Sequence, residues 1–235
     1  MISLSPNYRA LVIGSSGSIG KAFTDRFKQD PHCAEVLELC RASSPGFDLR
    51  DAQSIESALA PIKVKVKAKG SLDLIIDATG ALTIDGKGPE KSLQSVDASA
   101  LNASLWVNCI GPSIVLKNLV PILGKNRCIY AKLSARVGSI SDNKLGGWYS
   151  YRSSKAAFNM MLHTAAIELN RKNPNALFVA LQPGTVSSAL SSPFVDQSKT
   201  LTPEQSVDQM LTAMDLLQPI NGAHFIDYKG NPIAW

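Results

Sequence analysis

The strongest constraint on the fold lies close to the start of the chain. An apolar run, Arg9-Ala-Leu-Val-Ile13, ends in Gly14-Ser-Ser-Gly17-Ser-Ile-Gly20, and helical spacing of apolar residues follows from Ile19 to Gln29. A strand that turns on glycines straight into a helix lets backbone N–H groups approach an anion. The helix N-terminus adds partial positive charge, and Gly20 allows the helix to pack closely on the strand. Glycines at this spacing are a common pattern. Their place between a strand and a helix favours a nucleotide-binding turn, with Gly14, Ser16, Gly17, Ile19 and Gly20 around the phosphates, over an ordinary connection.

The same alternation continues. Glu35–Cys40, Leu72–Ile76, Arg127–Leu133, Ala176–Leu181 and Ala223–Ile226 read as strands. Asp51–Ala60, Ala98–Leu119 and Tyr151–Arg171 read as helices, the last stopped at Asn173-Pro174. Strands alternating with helices predict an α/β fold with a mostly parallel sheet covered on both faces. No repeat or linker divides the 235 residues, so a single doubly wound Rossmann-type domain over 1–235 is expected. Lys63, Lys65, Lys67 and Lys69 alternate with apolar residues and fit either an edge strand or a helix end, a solvated face in both cases.

Composition removes several classes. Hydrophobic residues at 45% and charged residues at 18% exclude a disordered chain or a fibre. No apolar run nears the roughly 18 residues of a membrane span, and the start lacks a secretory leader pattern. Cys33, Cys40, Cys109 and Cys128 have no paired spacing, and His32, His163 and His224 are scattered. Thiols in a reducing compartment, no metal and a cytoplasmic location are therefore expected. A net charge of +5 is too mild, with no aromatics near the lysines, to predict nucleic acid.

The second strand ends at Cys40 and Arg41-Ala-Ser43 follows. An NAD site carries an acidic residue there for the ribose 2′-hydroxyl, whereas a guanidinium suits a 2′-phosphate. Arg41, with Ser43 as a further donor, thus predicts NADP(H). Glu38 is the counter-argument, but it lies inside the strand rather than at its end.

Tyr151-Arg-Ser-Ser-Lys155 opens an apolar helix, and a separation of four places Tyr151 and Lys155 on one face. An ammonium beside a phenol favours the phenolate and lowers its pKa, which suits a proton donor and acceptor. The glycine turn and this pair, in this order, resemble the short-chain dehydrogenase/reductase family over essentially the whole chain. Ala78-Thr-Gly80, Gly86–Ser92, Ser134–Asp142 and Gly146–Arg152 resemble its C-factor-like branch.

The resemblance implies further assignments. Asp77-Ala78-Thr79-Gly80 corresponds to a segment passing the adenosine side of the cofactor, and Asp48-Leu49 to the region near the adenine. Asn108 corresponds to the helix asparagine that helps hold a water near the lysine. Pro183, Gly184, Val186 and Ser188 correspond to the segment that meets the nicotinamide carboxamide. The implied activity is NADP-dependent reduction of a small-molecule carbonyl, or oxidation of the alcohol, with Tyr151 as general acid. The implied assembly is a homodimer or homotetramer.

Three positions depart from the family pattern: Ile13 replaces a threonine, Asp77 an asparagine, and Ala135 the serine that acts at the carbonyl. Ser134 or Ser139 is then the source of a hydroxyl, with Ser134 preferred. Without one, the chain reads instead as an NADP-binding sensor or signalling protein with little turnover. The polar segment 187–200 fits a substrate lid carrying Leu190 and Phe194, or a plain surface loop. Thr202-Pro-Glu-Gln205 after it signals a capped helix start. Trp148 either lines the pocket or packs on the core.

Overall fold

The computed structural model describes residues 1–188, 196, 198 and 200–235. Six parallel strands form one sheet in the order β2-β1-β3-β4-β5-β6. They are β1 Tyr8–Ile13, β2 Cys33–Leu39, β3 Leu74–Asp77, β4 Cys128–Leu133, β5 Ala176–Gln182 and β6 Ala223–Asp227. The helices are α1 Ser18–Gln29, α2 Ala52–Lys69, α3 Ala98–Leu105, α4 Gly111–Leu119, α5 Tyr149–Asn170 and α6 Pro203–Leu216. Strand order reverses between β1 and β3, so a crevice opens beyond the carboxyl ends of those two strands.

Alternate residues of the central strands feed two cores. Leu11, Ile13, Ile75, Tyr130 and Phe178 pack under α2, α4 and α5. Ala10, Val12, Ile76, Ala131 and Val179 pack under α1 and α6, against Phe23, Phe27, Met210 and Met214. The central strands β1, β3, β4 and β5 are buried on both faces, which is why they read as continuous apolar runs rather than as alternating ones.

Asp51 caps α2 by accepting from the Gln53 N–H at 2.9 Å, and Gly70, at φ +104°, ends it. The helix runs through Pro61 and absorbs all four lysines. The helix-end alternative therefore describes them, and the helix is nine residues longer at its C-terminal end than the sequence pattern suggests. Lys65 and Lys69 pair with Glu35 of β2 at 2.9 and 3.3 Å. The expected helix over 98–119 is present but not uniform, because residues Trp106–Ile110 form a π-helical turn between α3 and α4. The whole stretch 98–122 has the length and mean hydropathy, 1.3, of a membrane-crossing helix. Here Val115, Leu116 and Leu119 bury its apolar face against the sheet instead. Thr202 and Gln205 form the expected reciprocal cap on α6, at 3.2 and 3.0 Å.

Candidate active site

The glycine turn lies where its sequence predicts. Gly14 has φ +79°, and a Cβ on Gly20 would sit 2.1 Å from the Gly14 carbonyl oxygen. The turn can close onto α1 only with glycine at that place. Gly17, the N-cap, offers no side-chain cap, and the first turn of α1 carries no acidic residue. Its N–H groups and partial positive charge therefore face the crevice uncompensated, a setting that suits a pyrophosphate.

A cleft of about 780 Å³ opens there. Gly14, Ser16, Gly17, Arg41, Asp48, Leu49, Ala78, Thr79 and Gly80 line it, as the sequence reading expects. Other expected residues stand elsewhere. Ile19 packs on the α1-side core, and Gly20 is buried beneath the turn. Ser43 does not line the cleft; its hydroxyl donates to the Cys40 carbonyl oxygen at 3.1 Å and accepts from the Cys40 N–H at 3.0 Å. A short side chain in a turn bonds its own backbone first, so Ser43 shapes the turn rather than reaching outward. The cleft also uses residues the sequence reading missed. Arg50 pairs with Asp85 at 3.1 Å, joining the segment after β2 to the loop after β3, and Phe47, Ile84 and Val107 supply apolar wall.

At the other end, α5 carries Tyr151 and Lys155 one turn apart, with the ammonium 5.6 Å from the phenol ring centroid. Lys155 Nζ donates to the Leu133 carbonyl oxygen at 3.1 Å. Asn108 is fully buried in the π-helical turn. Its Oδ1 accepts from the Ala81 N–H at 3.0 Å, and its Nδ2 donates to the Ala81 carbonyl oxygen at 2.9 Å. Gly80 is held between the two, since a Cβ there would lie 3.1 Å from both Asn108 Oδ1 and Lys155 Nζ. Gly80 also lines the cleft, so the turn end and the tyrosine end share a wall. Tyr151 itself borders a small hollow with Leu82, Ile84 and Ser104.

The electrostatics differ from the expectation of a lowered tyrosine. Burial pushes the Tyr151 phenol up to about 12. Burial, and then the charge of Lys132, pull Lys155 down to about 7, with Asp77 opposing. Tyr151 is therefore a neutral phenol at neutral pH, the form able to give a proton.

Ser134, the preferred source of a hydroxyl, lies just past β4. The Ser134 hydroxyl is buried and donates to Asn159 Oδ1 at 2.7 Å. With its proton on Asn159 of α5, Ser134 ties the end of β4 to that helix in this structure. Ser139 is also buried, and its hydroxyl oxygen accepts from the Asp142 N–H at 3.0 Å.

The placement of Tyr151 depends on a residue for which the sequence reading gave no role. Trp148, in left-handed backbone at φ +55°, begins α5 without a side-chain cap. Glu90, from the loop after β3, caps the helix from outside. It accepts the Ser150 N–H at 3.0 Å and the Ser150 hydroxyl, and its carbonyl oxygen accepts the Trp148 N–H at 2.5 Å. Burial pushes the Glu90 carboxyl up, but the two Ser150 donors outweigh it and hold it below the usual range. Ser104 continues the network to the Ser150 carbonyl oxygen at 3.1 Å, Ser154 at 3.0 Å and Asn108 at 3.3 Å.

Pro183, Gly184 and Val186 follow β5, at the same carboxyl end of the sheet. The Pro183 carbonyl oxygen accepts from Ser206 at 2.6 Å, Gly184 has φ +79° against Tyr228, and Val186 is buried and bridges to Leu201. Ser188 closes the described part of this segment. The expected lid lies largely outside the described residues, and so do Leu190 and Phe194. Trp148 packs edge-on to Tyr151, with ring centroids 6.2 Å apart.

Residues 8–199 match the short chain dehydrogenase family. The chain belongs to the short-chain dehydrogenase/reductase family. It is 32% identical over 168 residues to the C-signal of Myxococcus xanthus, covering 71% of this chain and 94% of that protein. It is 29% identical over 192 residues to 1-hydroxy-2-glutathionyl-2-methyl-3-butene dehydrogenase of Rhodococcus sp. strain AD45, covering 81% and 79%. This short-chain dehydrogenase/reductase also shares its fold with carbonyl reductase Sniffer of D. melanogaster, at TM-score 0.82 and 21% identity over 98% of this chain and 100% of that one. The NADPH-bound carbonyl reductase from chicken fatty liver has TM-score 0.82 and 22% identity, covering 97% and 94%. The C-factor-like motifs of the sequence thus have a counterpart in a homologue, the C-signal.

Proposed function

We propose that this short-chain dehydrogenase/reductase is an NADPH-dependent carbonyl reductase with Tyr151 as its proton donor. The observation that carries the reading is a neutral Tyr151 one helical turn from the buried Lys155, with Gly80 of the phosphate-binding cleft packed against the Lys155 ammonium. The NADPH bound in the solved carbonyl reductase of the same fold supports the choice of cofactor.

The cleft fits a dinucleotide. Gly14, Ser16, Gly17 and the α1 N-terminus would hold the pyrophosphate, with Asp48 and Leu49 toward the adenine. Arg41, exposed at the end of β2, is free to meet a 2′-phosphate. Val186 and Ser188 follow β5 on the nicotinamide side. When bound, NADPH supplies the hydride that a carbonyl carbon accepts. Tyr151 gives its proton to the oxygen as negative charge develops there, and the Lys155 ammonium stabilises the tyrosinate that remains. Asn108 keeps Ala81, and with it Gly80, in place against Lys155.

A second reading follows from Ser134, whose proton is committed to Asn159, and from Ala135 beside it. With that hydroxyl withdrawn, the protein binds NADP(H) as a sensor with little turnover. Both readings are tested by following NADPH consumption over a panel of aldehydes and ketones, with Tyr151→Phe as control. Reduction of at least one carbonyl, lost in the variant, supports the reductase. Tight NADPH binding with no reduction, unchanged by Tyr151→Phe, supports the sensor.

A further inference from the structure

Lys132 interrupts a strand that is otherwise apolar around it, and its Cα partner across the sheet is Asp77 of β3. The two side chains are 1% and 0% exposed, on the α5 side of the sheet, and Nζ lies 3.2 Å from Asp77 Oδ1. Nζ also donates to Thr79 Oγ1 at 3.1 Å and to the Thr79 carbonyl oxygen. An ammonium has three protons, and here each has an acceptor. Asp77 in turn accepts the Thr79 N–H at 3.0 Å, the Thr79 hydroxyl at 2.6 Å and the Tyr130 hydroxyl at 3.5 Å. Apolar residues of similar volume stabilise a core as well as a buried ion pair or better, so stability alone gives no reason for one here.

Position supplies a reason. Thr79, held by Lys132 and Asp77, precedes Gly80, which packs against Lys155 Nζ. We propose that the Asp77–Lys132 pair is a positioning and charge-setting element for Lys155. Its bonds to Thr79 fix the wall against Lys155, and its two charges set the protonation of Lys155 in opposite senses. The inference rests on the reading in which Lys155 works with Tyr151.

Among the described residues, these polar and charged groups lie on the elements around Lys155. Tyr151 lies on its own helix, Lys132 and Tyr130 on β4, and Asp77 on β3. The π-helical turn presents neutral Asn108, with Cys109 behind it. Arg136, on the short turn after β4, reaches outward to Asp142 and Asp227 at 3.3 and 3.6 Å. Burial lowers Lys155 most, the Lys132 charge lowers it further, and Asp77 raises it.

Removing either member of the pair therefore moves Lys155 in opposite directions. Lys132→Met removes a like charge and leaves Asp77, so the midpoint rises. Asp77→Asn removes the opposite charge and leaves Lys132, so it falls. A purely structural pair would move both variants the same way. The test is a pH titration of the Lys155 side-chain nitrogen by 15N NMR in the full chain, assigned with Lys155→Met. Opposite shifts of about half a pH unit or more are expected, with the pH profile of carbonyl reduction following them. Shifts of the same sign, or none, overturn the proposal. If the single variants do not fold, the double variant Asp77→Asn/Lys132→Met decides: a raised midpoint supports the proposal, and an unchanged or lowered one overturns it. Opposite NMR shifts in a protein that reduces no carbonyl would sink the reductase reading and leave this one standing.

Discussion

Two lysines are buried within the same wall, and they are held in opposite ways. Lys132 meets three acceptors, one of them a carboxylate, so its ammonium is satisfied without any ligand. Lys155 donates to one carbonyl oxygen, and burial and the Lys132 charge hold it down at about 7. One charge is complete within the fold. The other has donor capacity to spare at the end of a cleft, where cofactor and substrate chemistry would use it. Burial alone thus does not mark a functional lysine; the number of its donors left unmet does.

The sharpest way to break this contrast is Lys155→Met. Loss of the ammonium should reduce carbonyl turnover by about 10²-fold or more, measured as NADPH consumption at saturating cofactor. Stability should not fall, because a lysine lowered by folding binds fewer protons than in the unfolded chain between about pH 7 and its unfolded value. That cost is present in full below pH 7 and fades as pH rises, so the gain from Met in chemical denaturation should be largest at low pH.

Asp77→Asn tests the other side. It leaves the Lys132 ammonium without its carboxylate and should destabilise the fold by about 3–5 kcal/mol in chemical denaturation. Arg41→Ala asks whether an exposed cation behaves differently from both. It should leave stability within about 0.5 kcal/mol. NADPH affinity by nicotinamide fluorescence should weaken by about ten- to a hundredfold while NADH binding is unchanged, the worth of hydrogen bonds to a charged group.

Glu90→Ala extends the contrast to a buried anion and has the smallest expected effect, a loss of about 1–2 kcal/mol from the uncapped α5. Because Ser150 holds this carboxyl below its unfolded value, its contribution is present above about pH 4.5 and lost as pH falls through the folded value. Glu90→Gln should therefore differ from the native protein at pH 7 and converge with it in acid.

Much of this was legible in the chain. The β1 turn and the Tyr151–Lys155 spacing are local patterns, and local patterns survive folding. The central strands were legible because burial on both faces leaves continuous apolar runs. Glu90 was not, because it caps a helix 60 residues away, through the backbone N–H and hydroxyl of Ser150. Lys132 did leave a signal, one charge in an apolar strand, but its meaning needs the β3–β4 register that sets it opposite Asp77. The π-helical turn at Asn108 reads as ordinary helix, since one extra backbone residue leaves the apolar pattern intact. Ser134 and Ser43 show the converse. Both hydroxyls stand where the sequence expects them, and in this structure both bond within the fold, to Asn159 and to the Cys40 backbone.

The most direct test of the central claim is transfer of label. The protein would be incubated with NADPH carrying deuterium at the nicotinamide C4 and with a panel of aldehydes and ketones, and the products read by mass spectrometry. The account predicts one deuterium at the carbinol carbon of at least one product, and none when Tyr151 is replaced by Phe. NADPH that binds in the cleft yet passes deuterium to no carbonyl would contradict it.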